Sequence, residues 1–591
     1  MKQIIISATR STSASESVID HILVNNKEKI TQSGVLPVGC SDHLIIYCTR
    51  KIMRGQMNFH NVIKIRSMKH FDKEVFNTSL KGVDWTELLS CFDVNMVWKI
   101  FSNKFIAILD QVAPIKQIRL KSRTEPWMSD MILENNRIRD KFLSKFRKNK
   151  NDKTLYKSYC KVRNKVQRDI KLAKSNYYSD KIRENKSNSK KLWDTLKGLG
   201  YRSTSKSENN IVLEIDDEFC CESNKVANHF NEFFTGVASQ LTSKLPAATN
   251  KFSTDSEILK QLYRNKIKHK SRFRLKTISE LDILKELQNV NIYKSTGLDN
   301  IPAKFIKDGA PALAPVIAKI INLSIDSNVV PDELKMARVK PLYKKNSRVD
   351  VGNYRPVSIL NVISKILEKV VCIQLEKYLI ENDILFEFQS GFRGGYSTET
   401  CLIHLTDYVR SQSAKGFFTG MVLLDLQKAI DTVDHSILCN KLKLMGVDSV
   451  EWFESYLGSR KQLVKVNGSV SELRDITCGV PQGSILGPLL FLCYINDLHV
   501  SVNCKAFLYA DDTALMVSDK TSEKVKTVLG QELVNCNEWL TDNKLSLYLG
   551  KTESIIFGPR RKIKKVADFK INFSIRKLLC SALIQPHFDC L

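Results

Sequence analysis

Three aspartates carry the chemistry open to this sequence. In KAFLYADDTALMVS an apolar run ends at Tyr509, Ala510 follows, Asp511 and Asp512 stand side by side, and a second apolar run begins. The pattern predicts a hairpin with two acids at its turn. Some 86 residues earlier, TGMVLLDLQKAIDTVDH predicts a buried strand that delivers Asp425 at its end. Two such strands side by side bring Asp425 to Asp511. Carboxylates crowded between buried strands lose solvation and repel one another, so they persist where a cation neutralises them. Two Mg²⁺ ions, or Mn²⁺ in their place, suit such a set, bridging an attacking 3′-hydroxyl and a departing pyrophosphate.

A Tyr-x-Asp-Asp match alone is weak in so long a chain, and its company gives it weight. In CGVPQGSILGPLLFLCYINDL, Pro481, Gln482, Gly483 and Ser484 predict a small-residue turn before an apolar helix, where glycine permits close approach of a backbone or a base. Upstream, Lys344 and Arg355 lie in VKPLYKKNSRVDVGNYRPVSIL, and Arg393 lies in FQSGFRGGYSTET, all three of a type that meets phosphates. Downstream, Lys551 in LSLYLGKTE is a candidate proton donor to the pyrophosphate. His435 in DTVDH reads as a residue on the side of a helix that follows the strand.

The ordered series LYKK, NYRPVSIL, SGFRGGYSTE, LLDLQKAIDTVDH, GVPQGSILGPLLF, YADD and LSLYLGKTE resembles the reverse transcriptase of non-LTR (LINE-type, Jockey-like) retrotransposons. The resemblance covers about residues 285 to 560. It implies an α+β fold, the fingers and palm of a right-hand polymerase with a ferredoxin-like palm sheet, and RNA-directed DNA polymerase activity. Asp425, Asp511 and Asp512 match the catalytic, metal-holding aspartates. Lys344 and Arg355 match positions facing the incoming deoxynucleoside triphosphate, and Gln482 and Gly483 match the turn supporting template and nucleotide. Arg393 is assigned to the template. The implied partners are an RNA template, a DNA primer or target, and deoxynucleoside triphosphates.

Several positions depart from the family pattern. Ile430, five residues after Asp425, stands where members usually carry a Phe whose ring blocks a ribose 2′-hydroxyl. Gly394 replaces a basic residue, and Tyr548 replaces Asn. At the start, ESVIDHILVNN and LPVGCSDHLIIYC resemble the last two motifs of an apurinic-type endonuclease, in which Asp20 orients His43 and Asp42 lies beside the metal-bound phosphate. The expectation is an inactive remnant of that domain. The run RKLLCSALIQPHFDC resembles the far end of the family's thumb, the rest of which is expected to be missing.

The elements that must position these residues divide as follows: an endonuclease-like remnant at 1–50, a basic helical linker at 51–270, fingers and palm at 271–560, and a thumb remnant at 561–591. Within the linker, residues 201 to 270 read as a polar spacer around one helix, VANHFNEFFTGVASQL. Leu155, Tyr159, Val162, Val166, Ile170, Ala173 and Tyr177 recur at steps of three and four, predicting one apolar face of a long helix. Lys157, Lys161, Arg163, Lys165, Arg168, Lys171 and Lys174 surround it.

Composition agrees. The chain of 591 residues carries 91 Lys plus Arg against 63 Asp plus Glu, a balance of 91 − 63 = +28. Residues 116 to 200 hold 25 basic and 9 acidic residues, so 25 − 9 = +16 of it is local. Such an excess points to polyanions, nucleic acid first. With 43% hydrophobic residues, wholesale disorder is excluded. Fifteen cysteines without a CxxC pair argue against a disulfide scaffold or structural zinc. The longest apolar stretch is broken by Gly and Pro, so no membrane segment is expected and the protein reads as intracellular. PRRKIKK, at 559–565, suits either a nuclear-entry signal or a solvated connector. The alternative reading is a catalytically idle nucleic-acid-binding remnant. A viral RNA polymerase or an intron maturase fits the PQGS and YADD turns less well.

Overall fold

The computed structural model describes residues 2–11, 15–25, 30–36, 43–50, 62–119, 125–149, 152–186, 189–198, 211–267 and 272–559. Asp42, the expected thumb remnant and all but Pro559 of the basic 559–565 cluster lie outside them. The chain divides into two compact units, Met1–Arg66 with Ile115–Lys174, and Ser67–Pro114 with Ser175–Leu591.

In the first unit, short strands pair antiparallel, among them Ile30–Leu36 with Ile45–Arg50 and Val62–Arg66 with Ile115–Arg119. His43 Nδ1 lies 3.0 Å from Asp20 Oδ2, the pairing expected of these two residues. That hydrogen bond holds the Asp20 carboxyl below its usual range. Two helices follow, α1 (Asp130–Lys148) and α2 (Lys153–Glu184), the latter belonging to this unit as far as Lys174. The hydroxyl of Ser129 caps α1 by accepting from Ile132 N. Phe146 meets Tyr156 at 5.0 Å and Lys174 lies 5.2 Å above the Trp127 ring, so α2 folds back along α1. The apolar stripe of α2 is buried or half-buried throughout, while Lys157, Lys161, Lys165, Arg168 and Lys171 are exposed.

In the second unit the strands from residue 336 onward are β1 (Met336–Tyr343), β2 (Tyr354–Ile359), β3 (Phe418–Leu424), β4 (Arg460–Val466), β5 (Ser469–Val470), β6 (Arg474–Ile476), β7 (Lys505–Tyr509), β8 (Asp512–Asp519) and β9 (Glu553–Phe557). They form two sheets. One has the order β2-β1-β4-β5 with β6 on β4, antiparallel except where β1 runs parallel to β4. The other is antiparallel throughout, with the order β7-β8-β3-β9.

Alternation along the second sheet decides how it is buried. Met421, Phe507, Ala514 and Met516 join a cluster with Cys401 and Leu405 of the helix Thr398–Ala414. Val422, Ala506, Leu508 and Leu515, one step out of phase, join the main core with Leu529, Leu533 and Trp539 of the helix Ser522–Asp542. Both faces are therefore covered, and the strand ends alone are free to carry polar chemistry. Behind the sheet a buried ion pair, Lys441 Nζ to Asp497 Oδ1 at 2.6 Å, also takes a hydrogen bond from Trp539 Nε1 to Asp497 Oδ2 at 3.0 Å. It ties His435–Leu444, which Asp434 caps through Ile437 N, to the helix Ser522–Asp542.

Two stretches read as linker belong to this unit. Val94–Val112 buries Val97, Trp98, Phe101, Phe105 and Leu109 in the main core, at helical spacing. The supposed spacer supplies the helix Ser223–Thr242, whose Val226, Ala227, Phe230 and Phe234 pack with Val339, Tyr354, Val464 and Val466 of the first sheet. Asn231 donates to Glu472 O at 2.7 Å and accepts from Gln462 Nε2 at 3.1 Å. Residues 211–242 are thus a layer over that sheet. A boundary at 270 does not separate packing units, because the apolar face of this helix finds its partners more than a hundred residues further along the chain. Among the described residues no helix is long and apolar enough to cross a membrane, and the cysteines are free thiols.

Candidate active site

The register of the second sheet gathers the acids. Tyr509 pairs with Asp512 across a two-residue turn, Ala510 and Asp511. Leu424 pairs with Thr513, so Asp425, the next residue out, comes level with Asp512. The register thus sets the three aspartates side by side where β3 and the β7–β8 hairpin end.

The turn is held from outside. Ala510 sits in the left-handed region at φ +56°, a conformation costly for a residue with a Cβ. Buried Gln389 accepts from Ala510 N at 2.9 Å and from Gly391 N at 2.8 Å, and its Nε2 donates to Ala510 O at 3.3 Å. Ser390 N donates to Leu508 O at 2.8 Å, and Leu508 N to Phe388 O at 3.0 Å. A Cβ on Gly391 would stand 2.2 Å from Ala510 N, so only glycine admits the two backbones at this distance. Gln389 and Gly391 were not singled out from the sequence. Their signal was the run FQSGFR itself, in which Arg393 drew attention by its charge.

Arg393, expected at the template, is tied to its own loop. Its Nη1 donates to Phe386 O at 3.0 Å and to Gln389 O at 3.2 Å, and its guanidinium lies 4.3 Å from the centre of the Tyr396 ring. It braces the segment that holds the catalytic turn.

Cations converge on the carboxylates. Tyr548 N donates to Asp425 O at 2.8 Å, which brings the segment carrying Lys551 alongside, and Lys551 Nζ contacts Asp425 Oδ2. Lys344 directly follows β1, where its N donates to Asn353 O at 2.9 Å, and Arg355 lies in β2, paired with Leu342 of β1. Burial lowers the Lys344 pKa, and repulsion from Arg355 and Lys551 lowers it further, so these three positive charges lie near one another. Burial pushes the Asp512 carboxyl up to about 6, with repulsion from Asp511 and Asp425 adding to it. Asp511 is raised by burial first and then by Asp425. Carboxylates that repel one another in this way are suited to divalent cations, and the donor set fits Mg²⁺ or Mn²⁺. Among the described residues no three acidic, His or Cys side chains are drawn tightly enough together to hold an ion as they stand, and Asp425 is turned to Lys551.

The expected turn at Gln482 and Gly483 is bound to two neighbours. Gln482 O accepts from Ser358 N of β2 at 2.7 Å, and its Nε2 donates to Asp431 Oδ1 at 2.8 Å. Gly483 has φ +112°, and a Cβ there would meet Ser358 O at 2.6 Å. Ile430 is half-buried against the main core, and its carbonyl accepts from Val480 N at 3.0 Å. His435 Nε2 bonds Gly479 O at 2.8 Å, and burial depresses its pKa, in keeping with a supporting residue beside a helix.

Paired acids on a two-strand hairpin and a third on the neighbouring strand thus lie near Lys344, Arg355 and Lys551, and sequence comparison relates this region to known proteins. Residues 343–569 match the reverse transcriptase (RNA-dependent DNA polymerase) family. The chain is 31% identical over 275 residues to a probable RNA-directed DNA polymerase from transposon BS of Drosophila melanogaster, covering 45% of this chain and 30% of that protein. It is 28% identical over 276 residues to the RNA-directed DNA polymerase from mobile element jockey of the same fly, covering 44% and 30%. A probable RNA-directed DNA polymerase from transposon X-element is 25% identical over 253 residues, covering 42% and 28%. Residues 343–569 are a reverse-transcriptase domain, of the kind found in non-LTR retrotransposons. The chain spans about a third of the length of the curated relatives it matches.

Proposed function

We propose that this protein is an RNA-directed DNA polymerase that extends a DNA 3′ end on an RNA template with deoxynucleoside triphosphates. The observation that carries the reading is the convergence of Asp425, Asp511 and Asp512 at adjacent strand ends, faced by Lys344, Arg355 and Lys551. The four-stranded sheet, in which helices separate β3 from β7 and β8 from β9 while β7 and β8 form a hairpin, is read as the palm, and the five-stranded sheet as the fingers. Two Mg²⁺ ions held by the aspartates would activate the 3′-hydroxyl and neutralise the departing pyrophosphate. Lys344 and Arg355 are assigned to the triphosphate, where their charge offsets that of the phosphates. Lys551, once released from Asp425, is in reach of the leaving group as a proton donor. Gln482 and Gly483 form the floor beneath nucleotide and template. The exposed lysines of α2 are read as a seat for RNA or target DNA, and the protein as nuclear when it acts.

Incorporation of dTMP on poly(rA)/oligo(dT) with Mg²⁺ tests the reading. Wild-type protein is expected to incorporate, and an Asp511→Ala, Asp512→Ala variant is not. Equal counts from the two would defeat it.

A further inference from the structure

Asp431 is an acid that metal chemistry does not use. It lies six residues beyond Asp425, past the strand end, and is half-buried. The backbone around it is bound to the segment before Gln482. Gly479 N donates to Val433 O at 2.7 Å and Val480 N to Ile430 O at 3.0 Å. A Cβ on Gly479 would stand 2.6 Å from Asp431 O. On its other side the Gln482 turn is fixed to β2 through Ser358. With both main chains fixed, the remaining freedom at Gln482 is in its side chain, and the hydrogen bond to Asp431 Oδ1 removes it.

We infer that Asp431 is a positioning residue that sets the Gln482 amide, and through it the seat of the incoming nucleotide's sugar. The inference rests on the polymerase reading above. An ionised carboxylate can only accept, so the amide must turn its nitrogen to Asp431, leaving Oε1 and the second N–H for a ligand. Arg355 lies close enough to act electrostatically on both Asp431 and Asp511, so the Gln482 turn neighbours the groups read as holding the triphosphate. Lys428 and Arg355 hold Asp431 toward its charged form against burial, which pushes it up to about 6. The residue before it matters equally. Ile430 carries no ring and packs on the core, and Asp431 with Gln482 is the hydrogen-bonded polar pair beside it.

Steady-state primer extension on poly(rA)/oligo(dT), with dTTP and with UTP, tests this in wild type, Asp431→Ala, Asp431→Asn, Gln482→Ala and the Asp431→Ala, Gln482→Ala double variant. Asp431→Ala is expected to raise KM for dTTP about tenfold while kcat falls less than about threefold, the size of one lost hydrogen bond to a charged group, and to narrow the preference for dTTP over UTP. Asn keeps an acceptor in the same shape, so Asp431→Asn should recover part of the loss. Because Asp431 acts through Gln482, the double variant should be no worse than Gln482→Ala. Unchanged KM and selectivity in Asp431→Ala, or additive losses in the double variant, would overturn the inference and leave the polymerase reading intact. Calorimetric titration of dTTP in Ca²⁺ reads the same contact without turnover. If wild type binds dTTP but does not extend, weaker binding by Asp431→Ala than by Asp431→Asn upholds the inference, and equal binding overturns it. If wild type neither extends nor binds dTTP, both readings fall.

Discussion

Replacing Gly391 by Ala should disable the catalytic turn without unfolding the protein. The new Cβ would lie 2.2 Å from Ala510 N, where real contacts stay beyond 3.0 Å, so one backbone must retreat by at least 3.0 − 2.2 = 0.8 Å. Ala510 is the residue that moves, because its left-handed conformation at φ +56° is held only against strain. Moving it loosens the hydrogen bonds to Gln389 at 2.9 and 3.3 Å and shifts Asp511 and Asp512 away from Asp425. A displacement near 1 Å in a reacting constellation costs about 10²-fold in rate. The assay is single-turnover dTMP incorporation at saturating dTTP, with thermal unfolding followed in parallel. The expected result is a drop in kcat of about 10²-fold with a melting temperature lowered by only a few degrees, since the clash lies at a strand end rather than in the core. Gly391→Ala protein that incorporates at the wild-type rate would refute the idea that this close approach fixes the acids.

Other outcomes follow from the same structure. The Asp512 carboxyl is raised in the fold to about 6 from an ordinary 3.8, so its stabilising share is complete below 3.8 and is lost as pH rises through 6. In metal-free buffer Asp512→Asn should therefore melt higher than wild type at pH 7.5 and no higher at pH 3.5. The gain should be no more than a few degrees, because the side chain is exposed enough for water to screen the repulsion. Adding Mn²⁺ should stabilise wild type more than this variant. Lys441→Ala strands Asp497 as a buried charge and should cost about 3 to 5 kcal/mol in urea unfolding; a loss below about 1 kcal/mol would mean that the pair is not desolvated. Changing Lys157, Lys161, Lys165 and Lys171 together to Ala should weaken RNA binding and flatten its log K against log salt slope by about 3, from four phosphate contacts on a single strand. An unchanged slope would make the face of α2 a solvated surface.

The juxtaposition of Asp425 with Asp511 and Asp512 was legible because strand periodicity and a charged turn are local signals, and residues 505–519 and 418–425 obey them. The long amphipathic helix over 153–184 was legible for the same reason. The pairing of His43 with Asp20 followed from the resemblance and is met in the fold. What was not legible depends on contacts far apart in the chain. VANHFNEFFTGVASQL announced a helix, but nothing in it says that Phe230 packs on Tyr354. Gln389 has no reactive chemistry, so its grip on Ala510 is visible only once residues 389 and 510 are adjacent. The charge of Arg393 suggests a phosphate and says nothing of its hydrogen bonds to two carbonyls of its own loop, which need residues 386 and 389 brought beside it.

The central claim is that Asp425, Asp511 and Asp512 direct DNA synthesis on RNA. It is tested most directly by giving the full chain a heteropolymeric RNA with an annealed DNA primer, Mg²⁺ and one deoxynucleoside triphosphate at a time. Single-nucleotide extension by the triphosphate complementary to the next template base, following the template when that base is changed and abolished in Asp511→Ala, Asp512→Ala protein, is the predicted result. Failure of the wild-type chain to extend the primer, or extension indifferent to the template base or to those two aspartates, would contradict it.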